Sequence, residues 1–210
     1  MTPALRRDAA ANRERLIAAA EQVFAERGSE AGLDEIARAA GVGPATLYRR
    51  FGSRDALVRE VLAMFYGRLI DLARAAYAEP AATCLDTYLD TVGWQLGANI
   101  GLMHGRWGDL APAALVRELA ELTGELVAKA QDGGGISAEV TVGDIAATVW
   151  AVRGIVQTTR EVAPDAWRRH VGFTLAGFRS GSGPGGGAGG GDLRVRDLGA
   201  RARSAADMLA

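Results

Sequence analysis

LDEIARAAGVGPATLYRRF, residues 33–51, reads as two short helices joined by a tight turn. Leu33, Ile36, Ala37 and Ala40 recur at helical spacing, and Gly41 then supplies a residue that tolerates the left-handed conformation needed to stop a helix and reverse the chain. Val42 follows as an apolar contact. Pro44 fits the first turn of a second helix, where its missing N–H would have no intrahelical partner, and Leu47 and Phe51 stand one above the other at i, i+4. Thr46, Arg49 and Arg50 then occupy the outer face with Tyr48 beside them. From Gly41 to Arg54 the formal charges are Arg49, Arg50 and Arg54, all positive. A short helix presenting Thr, Tyr and two Arg from a sharp turn has the shape and charge to enter a DNA major groove. Ala37, Gly41, Leu47 and Phe51 are therefore assigned to the turn and core of the motif. Thr46, Tyr48, Arg49, Arg50 and Arg54, with Gly43, Pro44 and Ala45 at the helix head, are the candidate DNA contacts.

Composition narrows the alternatives. A chain of 210 residues, 49% apolar, forms one large domain or two smaller ones with an adequate core. The opening MTPALRRDAAANRER is charged without an apolar run, so no secretory signal is expected, and no stretch is apolar for long enough to span a membrane. Cys84, the single cysteine, and two distant histidines, His104 and His170, offer neither a zinc cluster nor a nucleophile with its base. The expectation is a cytoplasmic protein that is not an enzyme and carries no cofactor or metal. A net charge of −1 argues against coating nucleic acid over the whole surface. Residues 1–78 hold twelve Arg against ten acidic residues, while the remainder is acidic by fifteen to twelve, so the slight positive bias lies on the side of the motif.

Taken in order, residues 1–11 read as a flexible arm with Arg6 and Arg7. A helix is expected from Asn12, capped by Asn12 or Asp8, with Leu16, Ile17, Ala20, Val23 and Phe24 as its apolar stripe and Gly28 at its end. After the motif, Ser53 is a plausible cap for a long helix running to Pro80 and burying Leu57, Val58, Val61, Leu62, Phe65 and Leu69. Such a helix can leave one domain and enter a second.

On these residues (Arg13, Leu16, Ile17, Ala19, Ala20, Phe24, Ala25 and Gly28; Ile36, Ala37 and Ala40 to Val42; Thr46, Leu47, Tyr48 and Phe51; Arg54, Asp55 and Leu57) the chain resembles the N-terminal domain of the TetR, or tetracycline-repressor-like, family over about residues 12–66. The resemblance implies an all-α homodimer that binds a palindromic operator, as a repressor, and releases it when a small-molecule ligand enters the C-terminal domain. Its architecture would be a three-helix helix-turn-helix DNA-binding domain over 12–78, with the motif at 33–52, joined by a long helix to a helical ligand-binding and dimerisation domain over 79–179. Five positions depart from the family pattern. Ala31 and Gly32 stand where a Thr or Ser usually caps the motif's first helix and touches a phosphate, Gly43 replaces a frequent Ser, Arg50 a His or Tyr, and Arg54 the usual Lys. An interaction module with weakened DNA binding is the alternative that the missing hydroxyl raises.

Beyond residue 80 the chain stays helical in pattern. Gly93, Gly97, Gly101 and Gly105 recur every fourth residue, which suits close helix packing, a helix break near 97–101, or a ligand filling the space. Trp94, Gly97, Met103, His104, Trp107 and Trp150 are the candidate pocket residues, each with a competing role in the core or at the surface. Helices are expected over 113–130, 142–158 and 164–178, and the last two carry the candidate dimer interface: Ala146, Val149 and Trp150 with Val171, Leu175 and Phe178. LVAKAQDGGGISAEVTVGD and WRRHVGFTLAGFR are similar, more loosely, to a C-terminal domain of an actinobacterial-type subgroup of TetR regulators. Residues 180–210 begin with SGSGPGGGAGGG and read as a flexible linker and disordered tail.

Overall fold

The computed structural model describes residues 3–28, 31–99 and 110–181. Among them run α1 (Pro3–Arg27), α2 (Leu33–Ala39), α3 (Pro44–Phe51), α4 (Arg54–Ala78), α5 (Cys84–Ala98), α6 (Ala113–Asp132), α7 (Val142–Thr159) and α8 (Ala166–Ser180), and no strand. The all-α class read from the sequence holds. Met103, His104 and Trp107, Gly101 and Gly105, and the tail from 182 lie outside the described residues.

The first helix corrects one expectation: it begins at Pro3, so residues 3–11 belong to α1 and not to a flexible arm. Proline is pre-organised for a helix's first turn, and the Ala, Leu and Arg that follow are strong helix formers. Asn12 consequently sits inside the helix, where its Oδ1 accepts from Arg15 Nη2 at 3.1 Å instead of capping. Ser53 does cap α4, its Oγ accepting from Ala56 N at 3.1 Å.

The chain divides into two compact units, the first running to Gly67 and the second beginning at Arg68, so the division falls inside α4 and not after it. In the first unit Leu16, Ile17, Ala20 and Phe24 of α1 share a core with Ile36 of α2, Leu47 of α3 and Leu57, Val58 and Val61 of α4, all buried. Each large side chain so buried stabilises the fold by about 1.5–3 kcal/mol. At the surface, Arg13 of α1 pairs with Glu60 of α4 at 2.7 Å.

In the second unit, Thr141 and Asp144 cap α7 reciprocally: Thr141 N donates to Asp144 Oδ2 at 2.8 Å and Asp144 N to Thr141 Oγ1 at 3.2 Å. Lys129, the chain's single lysine, donates from α6 to the carbonyls of Tyr77 and Glu79, neutralising the carbonyl-rich end of α4. Cys84 is wholly buried, and desolvation pushes its thiol pKa up, so it packs as a small apolar group.

The glycine row resolves into different roles. A Cβ on Gly93 would lie 2.2 Å from the Trp167 ring, which is 2% exposed, so this glycine exists to admit an indole from α8. Gly97 has open space at the same position, and α5 ends one residue later at Ala98. Gly93→Ala is therefore expected to destabilise by about 1–3 kcal/mol through overpacking, whereas Gly97→Ala gains up to ~1 kcal/mol of helix propensity. Thermal melts of the two variants check the opposite signs.

On helix α8, Val171 and Leu175, expected at a dimer interface, are each 5% exposed and buried along with Trp167. Ala146, Val149, Trp150 and Phe178 are half-buried. The outward strip of α8 is instead Arg169, Gly172, Phe173, Ala176 and Gly177, with Phe173 65% exposed.

Candidate nucleic-acid interface

The turn between α2 and α3 is set by backbone hydrogen bonds. Val42 N donates to Ala37 O at 2.9 Å and Gly41 N to Arg38 O at 3.1 Å, the paired bonds that close a helix whose next residue is left-handed. Gly41 is that residue, with φ +68°. Val42 is half-buried, and Leu47 is 1% exposed, so the first full turn of α3 is anchored as soon as it forms. Gly41→Val places a β-branched side chain at positive φ, a strain of roughly 1–2 kcal/mol, and is expected to lower both melting temperature and DNA affinity. A variant with unchanged melting and binding would remove this account of the turn.

Which side chains α3 presents follows from its two anchors. Successive residues are about 100° apart around a helix, so with Leu47 and Phe51 facing inward, Arg49, Ala45 and Thr46 point farthest outward. Pro44 and Tyr48 lie on one flank and Arg50 on the other. Tyr48 is 52% exposed; Arg49 and Arg50 are exposed, and Thr46 is half-buried at the edge. Gly43 caps the helix in extended conformation and Pro44 occupies its first turn, with no side-chain hydrogen bond to the helix head. Among the described residues neither Arg49 nor Arg50 has a carboxylate partner, in contrast to Arg13 and Arg27, whose charges are spent on Glu60 and Glu35. The outer face thus offers a hydroxyl, a phenol and two uncommitted guanidiniums on a rigid element.

Arg54 stands apart from that set. It is half-buried, and its Nε and Nη2 both lie 3.5 Å from the Ala31 carbonyl oxygen, with its guanidinium carbon 5.5 Å from the centre of the Phe24 ring.

At the head of α2 the sequence reading missed the compensating group. Gly32 brings no hydroxyl, but its N–H donates to Glu35 Oε2 at 3.2 Å, and Glu35 also pairs with Arg27 at 3.4 Å. The signal was present in the spacing, a Glu three residues after the cap position. Arg38, exposed on α2 without a carboxylate partner among the described residues, was also passed over.

The pocket candidates are only partly described. Trp94 of α5 is 52% exposed; Arg168 lies 4.8 Å above its ring, held by Asp90 at 3.3 Å, and the edge of Trp94 meets Trp167 with ring centres 6.3 Å apart. Trp150 of α7 carries Arg153 over its ring at 4.9 Å, and Gly97 faces open space. A separate groove, lined by Tyr77, Ala81, Glu125, Ala128, Lys129, Asp132 and Gly133, is open to solvent and carries three charged side chains, unlike an enclosed apolar ligand site. Among the described residues no group of acids, histidines and cysteine can hold a metal, and no helix is long and apolar enough to cross a membrane.

Residues 16–61 match the family model of bacterial regulatory proteins, tetR family. No curated protein matches the chain. Among solved structures, a TetR transcription regulatory protein from Mycobacterium vanbaalenii is 34% identical, the match covering 73% of this chain and 97% of that one with a TM-score of 0.58. A TetR transcriptional regulator from Streptomyces coelicolor is 30% identical over 80% of this chain and 98% of its own, with a TM-score of 0.59. The fatty acid degradation regulator FadR from Bacillus halodurans shares the fold at 23% identity, covering 79% of this chain and 93% of its own with a TM-score of 0.63.

Proposed function

This chain belongs to the TetR family of bacterial regulatory proteins, and from that premise we propose that it is a DNA-binding transcriptional regulator, a repressor that binds a palindromic operator as a homodimer and leaves it when a small molecule binds the C-terminal unit. The observation that carries the DNA-binding half is the outer face of α3, where Thr46, Tyr48, Arg49 and Arg50 project from a helix anchored at its middle by Leu47 and at its last residue by Phe51. Arg49, farthest out, and Thr46 beside it read base edges; Tyr48 and Arg50 on the flanks, with the backbone N–H groups of Gly43 and Ala45 on either side of Pro44, hold phosphates.

One such helix reads only a few base pairs, so useful affinity requires two, held about 34–36 Å apart by a two-fold interface. The strip of α8 centred on Phe173, with Gly172, Ala176 and Gly177, joined by Trp150 and Gly154 of α7, is the proposed interface. Its glycines leave open space at their Cβ positions, which lets two copies approach closely, and one patch meeting itself closes the dimer without further growth. A ligand lodged near Trp94 and Trp150 acts by preferring a domain arrangement with the wrong spacing, and it shifts DNA binding only by its differential affinity for the two arrangements. Helix α4, unbroken from Arg54 to Ala78 and shared by both units, is the element that transmits it.

Selecting bound DNA from a random pool tests the reading. A palindromic consensus is the expected result; recovery of no preferred sequence would instead favour the interaction module that the hydroxyl-free head of α2 suggests.

A further inference from the structure

Three arginines follow the turn, and one of them is drawn toward the protein. Arg54 opens α4 with its side chain half-buried, whereas Arg49 and Arg50 are exposed. Two N–H groups on one edge of its guanidinium, at Nε and Nη2, address a single acceptor, the Ala31 carbonyl oxygen, at 3.5 Å each, while the cation sits 5.5 Å from the centre of the Phe24 ring. Phe24 is fully buried in α1, and Ala31, 1% exposed, lies in the connection leading into α2. A planar fork that donates along one edge and rests near an aromatic ring is a geometry open to arginine and closed to lysine, whose ammonium is a compact point charge.

We infer that Arg54 is a positioning residue for DNA binding, tying the segment that enters α2 to α1 and to the start of α4, and not itself a phosphate contact. It rests on the DNA-binding reading above. The Nε–Nη2 edge, one of the two that a bidentate phosphate contact could use, is already directed at Ala31. What the latch sets is the position of the first turn of α2, where Glu35 N and Ile36 N both donate to Gly32 O at 3.2 Å, and hence the stance of α3 packed on α2.

Arg54→Met, which keeps the stem, and Arg54→Lys, which keeps the charge, separate the possibilities in the full-length protein, with Arg50→Ala as the phosphate-contact comparison. At temperatures where all are folded, both Arg54 variants are expected to weaken operator binding about tenfold with the slope of affinity against salt unchanged, whereas Arg50→Ala, lost from both copies of the dimer, flattens that slope by about two units. A slope flattened in Arg54→Met and restored in Arg54→Lys would make Arg54 a phosphate contact and overturn the inference. So would normal operator affinity in a variant that merely melts lower. Hydrogen exchange of the Glu35 and Ile36 amides needs no DNA: faster exchange in both Arg54 variants supports the latch, and unchanged protection sinks it. Wild-type protein that binds no DNA would defeat the functional reading while leaving exchange to decide this one.

Discussion

Replacing Arg49 and Arg50 together with Ala is expected to abolish measurable operator binding while leaving the protein folded. Both side chains are exposed and neither has a carboxylate partner among the described residues, so their removal breaks nothing within the subunit and exposes no buried charge. An arginine reading a guanine edge contributes about 1–3 kcal/mol, and a dimer presents it twice, so losing Arg49 alone lowers affinity about a hundredfold. Arg50, as a flank contact, adds a sequence-independent loss, and each phosphate it releases lowers the salt slope by about 0.9. Fluorescence anisotropy across a salt series, with circular dichroism to verify the fold, measures both. Operator affinity and salt dependence equal to wild type in the double variant would show that α3 is not the groove-entering helix.

Phe173→Asp is expected to give a monomer. Phe173 is 65% exposed on a helix whose Trp167 is buried and whose Phe178 is half-buried, and Arg169 lies over its ring at 5.0 Å. A large exposed aromatic among glycines and alanine is the kind of anchor around which an interface is built. A carboxylate at the two-fold contact meets its own copy, adding like-charge repulsion and desolvation to the lost apolar area. With one recognition helix per molecule, operator affinity should fall toward the non-specific level, on the order of a thousandfold or more. Sedimentation at micromolar concentration gives the assembly and anisotropy the affinity. A Phe173→Asp protein that remains dimeric would move the interface elsewhere, and a dimer lacking operator affinity would detach the DNA defect from assembly.

Residues 33–51 were legible in the sequence because their signals are local. Gly41 marks a left-handed position, Pro44 a first turn, and the i, i+4 pair Leu47 and Phe51 an inward face, so the directions of Thr46, Tyr48, Arg49 and Arg50 followed without knowledge of any neighbour. The bounds of α4 and the cap at Ser53 were readable for the same reason. Tertiary structure decided the rest wherever the chain offered more than one equivalent choice. Helix α8 carries two apolar strips, one through Trp167, Val171 and Leu175 and the other through Phe173 and Ala176, and its periodicity alone does not say which turns inward; Gly93 does, by leaving room on α5 for the Trp167 ring. Arg54 looks in sequence like a third cation for DNA, and only the approach of Phe24 and the Ala31 carbonyl, at 30 and 23 residues' separation along the chain, turns it inward. Spacing along a helix determines which residues share a face, but what that face meets depends on groups distant in sequence that arrive only on folding.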